Sequence, residues 1–213
     1  MTRYRLLILV GVPLVAAGCA GHRDLDDTLG LKVVRSTCPA VAIPAYTGDV
    51  AMFSPPQSQD ARALDVTATI TNLRTNCDET GAVVRSAVTF DVVAQRANPR
   101  GQRDVVLPYF ATVVRGGSRI MSKQLGQVQV HFDDGQVRGQ GSAAASANVD
   151  KAAASLPEAV MEKINRKRKP TDADASVDPM AEPGVRAAVN NANFELLIGF
   201  QLTQAQLAYN ATR

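Results

Sequence analysis

The chain is poor in the residues that build histidine-based or aromatic sites. It has no Trp and two His, His22 and His131, and aromatic residues make up 5% of its 213 residues. Two histidines leave little material for a histidine-based metal or catalytic centre. Hydrophobic residues reach 46% and charged residues 20%, which suits one folded domain with appendages and excludes disorder throughout the chain.

No apolar run is long enough to span a bilayer. Residues 6–17 form an apolar run that Pro13 interrupts, and it falls short of the ~20 residues that a transmembrane helix needs. Arg3 and Arg5 precede this run and small residues follow it, which is the pattern of a secretory signal. We therefore expect residues 1–18 to be a signal peptide.

The end of this segment carries a more specific motif. Ala16-Ala17-Gly18-Cys19 resembles the lipobox of bacterial lipoproteins, in which small residues precede a cysteine that receives a diacylglycerol before cleavage. That family usually has Leu where this chain has Ala16. The resemblance implies lipidation of Cys19, and the alternative is an ordinary signal peptide cleaved near Ala17. Each buried methylene of an acyl chain such as palmitate contributes ~0.8 kcal/mol, so two or three chains would hold the protein on a membrane.

The residue after the cysteine and the mature charge bear on location and partners. Ala20 stands where resemblance to enterobacterial lipoproteins associates Asp with the inner membrane, which implies the outer membrane and a periplasmic orientation. Removal of residues 1–18 takes away two arginines, so the formal charge falls from +3 to +1. A nearly neutral chain gives no electrostatic case for nucleic acid as a partner.

Two cysteines, Cys38 and Cys77, remain once Cys19 is assigned to lipid. An even number of thiols in an exported protein favours a disulfide over metal binding. The bridge would close a loop of about 40 residues, for which chain entropy gives a gain of roughly 4 kcal/mol at most. Two unpaired buried thiols are the alternative.

Alternating apolar and polar residues predict several short strands. The clearest lie at 64–71, 88–95, 128–132 and 194–202, and turn sequences separate most of the strands. Because no βαβ rhythm is present, we predict an all-β, immunoglobulin-like antiparallel β-sandwich of about seven strands. The hallmark Trp of a true immunoglobulin domain is absent, so the likeness is one of architecture.

Composition divides the mature chain into three parts. Residues 19–36 are polar and predict a lipidated tether, and residues 37–213 predict the sandwich domain. Residues 139–190 break the alternation and predict a helical and flexible insertion, with a helix that starts near a capping box at 155–158. The basic residues of 163–169 precede several acids, which favours a self-neutralising loop over a surface for lipid headgroups or nucleic acid.

Candidate chemistry is sparse. Asp133 and Asp134 predict a turn, because the acid spacing of an EF-hand is absent. His131 lies on the polar face of a strand with no serine-nucleophile motif beside it. Gly139-Gln140-Gly141 lacks the further glycine of a dinucleotide-binding loop. We therefore expect no cofactor, no bound metal and no catalytic residue.

A second resemblance supports the compartment and the fold. The stretches at 107–110 and 199–210, with Cys38-Pro39 and Cys77, resemble a group of small uncharacterised proteobacterial envelope lipoproteins. The likeness covers most of residues 37–135 and 190–210. It carries no known activity.

Together these features predict a lipid-anchored cell-envelope protein with a non-catalytic binding or scaffolding role in the periplasm. Its partners would be the membrane, through the lipid, and an envelope protein, for which the insertion is the most exposed candidate surface. Two alternatives stay open. One is an envelope hydrolase that uses carboxylates such as Asp91, Asp133 and Asp134, and the other is a surface-displayed adhesion lipoprotein.

Overall fold

Two four-stranded sheets form most of the domain. The structure, a computed structural model, describes residues 35–212. Its elements are β1 (Ala40–Ala42), β2 (Asp49–Phe53), β3 (Leu64–Asp78), β4 (Val83–Arg96), β5 (Arg103–Arg115), β6 (Arg119–Phe132), β7 (Arg138–Asp150), α1 (Lys151–Ala154), α2 (Glu158–Asn165), α3 (Pro183–Asn191), β8 (Phe194–Phe200) and α4 (Gln204–Thr212). The predicted all-β sandwich is confirmed, with eight strands where about seven were expected.

Each sheet combines strands that are distant along the chain. One sheet has the order β1-β8-β5-β6 and the other the order β2-β3-β4-β7. Neighbours are antiparallel except β1 and β8, which are parallel. In an immunoglobulin constant domain the first, second, fifth and fourth strands share a sheet, whereas here the consecutive strands β2, β3 and β4 do. The likeness to that fold is therefore limited to the two-layer architecture.

The core lies between the two sheets. It is built from every second residue of the long strands, and Phe90, Phe132, Leu196 and Ile198 are each at most 1% exposed. Burying one such side chain contributes roughly 1.5–3 kcal/mol. The period-2 pattern that predicted the strands therefore marks the residues that hold the sheets together.

The segment before β1 is fastened at two adjacent points. The predicted disulfide is confirmed: Cys38 Sγ and Cys77 Sγ are 2.09 Å apart, and the bond joins this segment to the end of β3. Two residues after Cys77, Glu79 accepts hydrogen bonds from the Thr37 hydroxyl at 2.8 Å and the Thr37 amide at 2.9 Å. The hydroxyl bond is the main reason why the pKa of Glu79 is lowered.

The prediction of an insertion at 139–190 is wrong for residues 139–150, because these residues belong to strand β7. The core-facing positions of β7 include Gly139, Gly141 and several alanines, since β7 passes close to β6. Small residues carry little hydrophobic signal, which is why the alternation was missed. The helices follow only after Asp150.

The helical segment agrees with the prediction in part. Helix α2 lies where a short helix was expected, but the predicted capping box does not form, because Ser155 Oγ donates to the carbonyl of Lys151 in α1. Helix α3 was not expected at all. The basic residues pair with acids as expected: Lys163 with Glu182 at 2.7 Å, and Arg166 with Asp174. None of the helices within residues 35–212 has the length and apolar character needed to cross a bilayer.

Candidate protein-binding edge

The structure places the residues of the predicted sites differently from one site to the next. Cys19 lies outside the described residues, so its lipidation stays a prediction. Cys38 and Cys77 form the bridge described above. Asp91, Asp133 and Asp134, the carboxylates of the hydrolase alternative, do not converge on one place, because Asp91 lies within β4 and the other two lie in the turn between β6 and β7.

Each of two carboxylates is engaged in local hydrogen bonds. Asp91 accepts bonds from Asn72 Nδ2 at 2.5 Å and Ser142 Oγ at 2.7 Å, and the bond from Asn72 is the first cause of its lowered pKa. Asp134 Oδ1 accepts a bond from the amide of Gly101. These contacts hold strands and turns together and engage Asp91 and Asp134 separately.

His131 lies between two carboxylates. Its Nδ1 is 2.7 Å from Asp104 Oδ1 and its Nε2 is 3.3 Å from Asp133 Oδ1. The hydrogen bond with Asp104 is the main reason why the pKa of His131 is raised. Both ring nitrogens face acceptors, so the cluster is an exposed ion pair and not a general base beside a nucleophile. In residues 35–212 no group of three or more His, Cys, Asp or Glu side chains could hold a metal ion.

A small cleft lies between β2 and α4. Its volume is about 220 Å³, and its lining includes Met52, Phe53, Gln57 and Tyr209. The rings of Phe53 and Tyr209 meet edge to face with centroids 5.2 Å apart. No charged side chain lines the cleft, so it offers no carboxylate for hydrolysis.

The second half of β6, residues 127–132, is covered. Val128, Val130 and Phe132 are buried in the core, and the polar residues between them face solvent. The edge of this half lies against β7. A Cβ atom at Gly141 would be 2.3 Å from the carbonyl oxygen of Gln129, so only glycine permits this approach. We call residues 127–132 the covered half.

The first half of the strand, residues 119–125, is exposed on every side that β5 does not occupy. All of its residues are exposed, including the core-facing Ser122 and Gln124. Three apolar side chains face solvent here: Ile120 is 66% exposed, Met121 51% and Leu125 68%. Among residues 35–212, β6 pairs with β5 alone, so no described strand lies at its other edge. We call residues 119–125 the open half.

Tyr109 lies at the junction of the two halves. It pairs with Gly126, where a Cβ atom would be 2.4 Å from the tyrosine ring. The hydroxyl donates to the carbonyl of Ala144 in β7 at 2.7 Å, and the ring meets Phe90 edge to face. Tyr109 therefore connects β5 to β7 at the point beyond which β6 has no buried residue.

The arrangement can bind an extended segment. An exposed edge strand presents unpaired N–H and C=O groups that can accept a further strand, and exposed apolar side chains beside it add contact area. Sequence reasoning did not single out residues 120–125 as a binding surface. The available signal was the loss of strict alternation after Gly117, where Ile120 and Met121 are adjacent.

Comparisons with known proteins do not assign this edge a role. No family model matches the chain, and no curated protein or solved structure matches it either.

Proposed function

We propose that the protein is a lipid-anchored component of the bacterial cell envelope, attached through Cys19 to the outer membrane and facing the periplasm, and that it binds another envelope protein without catalysing a reaction. The observation that carries the binding role is the open half of β6, an unpaired edge with exposed Ile120, Met121 and Leu125. Monomeric proteins normally protect such edges, so a long exposed one favours a binding function.

The anchor is supported by the sequence and is compatible with the disulfide. A charged n-region, an apolar run and a lipobox-like motif precede Cys19, and disulfides persist in oxidising compartments such as the periplasm. The concave site at residues 163–182 has three acids in its lining, but two of them, Asp174 and Glu182, form ion pairs with Arg166 and Lys163. This engagement supports a binding role over the hydrolase alternative.

Cys38, which follows the proposed tether, and the open half lie at the same end of the domain. Ala40 pairs with Glu195, Glu195 with Val114, and Val114 with Ile120, so these residues form one row across the sheet. At about 4.8 Å between neighbouring strands, Ala40 and Ile120 are roughly 14 Å apart. A partner at the open half would therefore bind close to the point where the tether joins the domain.

The anchor is tested by mass spectrometry of the mature N-terminal peptide and by membrane fractionation of a Cys19→Ala variant. We expect an acylated cysteine in the native protein, and loss of both acylation and membrane association in the variant. Ala20→Ser keeps the cysteine and serves as the control. A Cys19→Ala protein that stays on membranes at the native processed size would contradict the anchor.

The binding role is tested by photo-crosslinking in living cells. A photo-reactive amino acid replaces Met121 or Leu125, and Val93, 44% exposed on the outer face of β4, is the control position. We expect adducts at 121 and 125 that map to one segment of one envelope protein, and none at 93. Absence of adducts, or the same adducts at all three positions, would contradict a binding role for the edge.

A further inference from the structure

The open half presents a defined row of side chains to any added strand. Leu125, Lys123 and Ile120 pair with Phe110, Thr112 and Val114, which alternate along β5 with the core residues Ala111 and Val113. Thr112 and Val114 are themselves buried. The row therefore reads apolar, basic, apolar along the outer face of the sheet. An added strand would place its own side chains directly opposite these three.

Lys123 has no carboxylate partner among residues 35–212. Its Nζ lies over the ring of Phe110, 5.3 Å from the centroid, and it forms no ion pair within the described residues. A carboxylate directly across the strand pair would stabilise it, and a second cation there would be repelled.

The charges of the residues around this row also favour a partner strand that carries an acid. Residues 119–132 contain Arg119 and Lys123 but no Asp or Glu, and β7 has none before Asp150. The side of β7 that faces the core carries the small, uncharged Ala143 and Ala145 at this level. An acidic partner strand would therefore meet attraction from β6 and no like charge from β7.

A second copy of the chain fits this edge less well than an acidic segment of another protein. If two open halves paired antiparallel, no register would place a carboxylate opposite Lys123, because residues 119–125 contain no Asp or Glu. The register that sets the two Lys123 side chains opposite each other would place like charges across the strand pair. The charge pattern therefore favours a different chain as the occupant.

We propose that the open half of β6 binds an extended segment of an envelope protein that adds a strand to the sheet and carries a carboxylate flanked by apolar residues on the face opposite Ile120, Lys123 and Leu125. This inference rests on the proposed binding function and names the chemistry of its partner. A lysine on an edge strand discourages pairing with most other strands, which protects the edge from aggregation. A partner strand with a carboxylate opposite Lys123 does not meet this obstacle, so Lys123 also selects acidic partners.

The test uses the full-length protein in detergent micelles and labelled peptides in which Val and Thr alternate around a central Glu or a central Lys. Fluorescence anisotropy at low salt measures their affinity. We expect the Glu peptide to bind about tenfold more tightly than the Lys peptide, and Lys123→Glu to reverse that order. Arg85→Glu makes the same charge change at an exposed residue of β4 and serves as the control. Unchanged thermal unfolding of both variants shows that they are folded.

The mode of binding is tested by amide hydrogen exchange with the Glu peptide bound. We expect slower exchange within residues 119–125 and unchanged exchange within residues 127–132. Equal affinity of the two peptides, or no effect of Lys123→Glu, would overturn the inference. Dimerisation through β6 in sedimentation velocity, without peptide binding, would also overturn it by identifying a second copy as the occupant.

The two proposals fail in different ways. If crosslinks form at 121 and 125 in cells while the peptide charge has no effect, the binding function stands and the acidic partner is wrong. If no crosslinks form, the binding function itself is wrong.

Discussion

The two halves of β6 belong to one strand and share one neighbour, β5, yet they differ in almost every other respect. The covered half places Val128, Val130 and Phe132 in the core, and its edge lies against the glycines of β7. The open half buries no residue and exposes Ile120, Met121 and Leu125. The difference teaches that burial within a strand depends on what lies beside it as much as on its own sequence.

We expect the largest difference in the free energy of unfolding between variants of two large apolar side chains in β6. Phe132→Ala should lower the free energy of unfolding by about 3–5 kcal/mol, because it leaves a cavity in the core. Leu125→Ala should change it by less than about 0.5 kcal/mol, because Leu125 is exposed. Urea unfolding followed by circular dichroism measures both. Comparable losses would show that the open half is buried in solution.

Arg96 connects two turns at the end of the covered half. Its buried guanidinium donates to four carbonyls in the two turns that follow β4 and β6, those of Pro99, Gly101, Asp133 and Gln136. Arg96→Met should lower the free energy of unfolding by roughly 3 kcal/mol, because four carbonyl acceptors in part-buried hydrogen bonds lose a charged donor. Arg85→Met, at an exposed position, is the control for the same urea experiment. Equal stability of the two variants would contradict this role of Arg96.

Gly141 tests the close approach of β7 to β6. Gly141→Ala places a Cβ atom where the carbonyl of Gln129 lies, so the strands must separate, at a cost of about 2 kcal/mol. The neighbouring Gln140→Ala faces solvent and should be nearly neutral. Thermal unfolding of the two variants provides the comparison. If Gly141→Ala melts like the native protein, the two strands have room that the structure denies them.

Tyr109 lies at the junction between the covered half and the open half of β6. Tyr109→Phe removes the hydroxyl that donates to Ala144 and should cost about 1 kcal/mol. We also expect faster amide exchange near Gly126, because β5, which pairs with β6 at Gly126, loses its hydrogen bond to β7 there. Tyr46→Phe, at an exposed position, is the control. Unchanged exchange near Gly126 would place the boundary elsewhere.

The smallest effect concerns His131 on the outer face of the covered half. Its raised pKa means that the folded protein holds a proton that the unfolded chain releases near pH 6.5, about the unperturbed value. The resulting stabilisation is fully present below about pH 6.5 and is lost as the pH rises through the folded pKa. His131→Gln should therefore flatten the fall of stability with rising pH between about pH 6 and 8. Urea midpoints across that range measure it, and an unchanged slope in the variant would contradict the ion pair.

The prediction from sequence succeeded where a local pattern reports directly on burial. Alternation at 128–132 and 194–200 marks residues that the core buries, and the even number of remaining cysteines led to the Cys38–Cys77 bridge. It failed where the pattern was weak. The sequence predicts β7 as part of an insertion, because the inward side chains of β7 are small.

The candidate edge was less predictable than the fold. Ile120, Met121 and Leu125 are apolar, so composition alone assigns them to a core. Their exposure results from the divergence of β6 and β7 beyond Gly126 and Tyr109, which are separate in sequence and meet only in the folded sheet. The predicted partner surface, the insertion at 139–190, is in part the strand that covers the other half of β6.

By itself, the amino-acid sequence determined that this chain forms strands, that their apolar faces pack into two layers and that two of its cysteines pair, because hydrophobic periodicity and thiol chemistry act over short distances. Only the tertiary structure decided which edge of the sheets stays open. That outcome depends on where glycines let one strand approach another, and close approach is a property of two segments and not of either one alone.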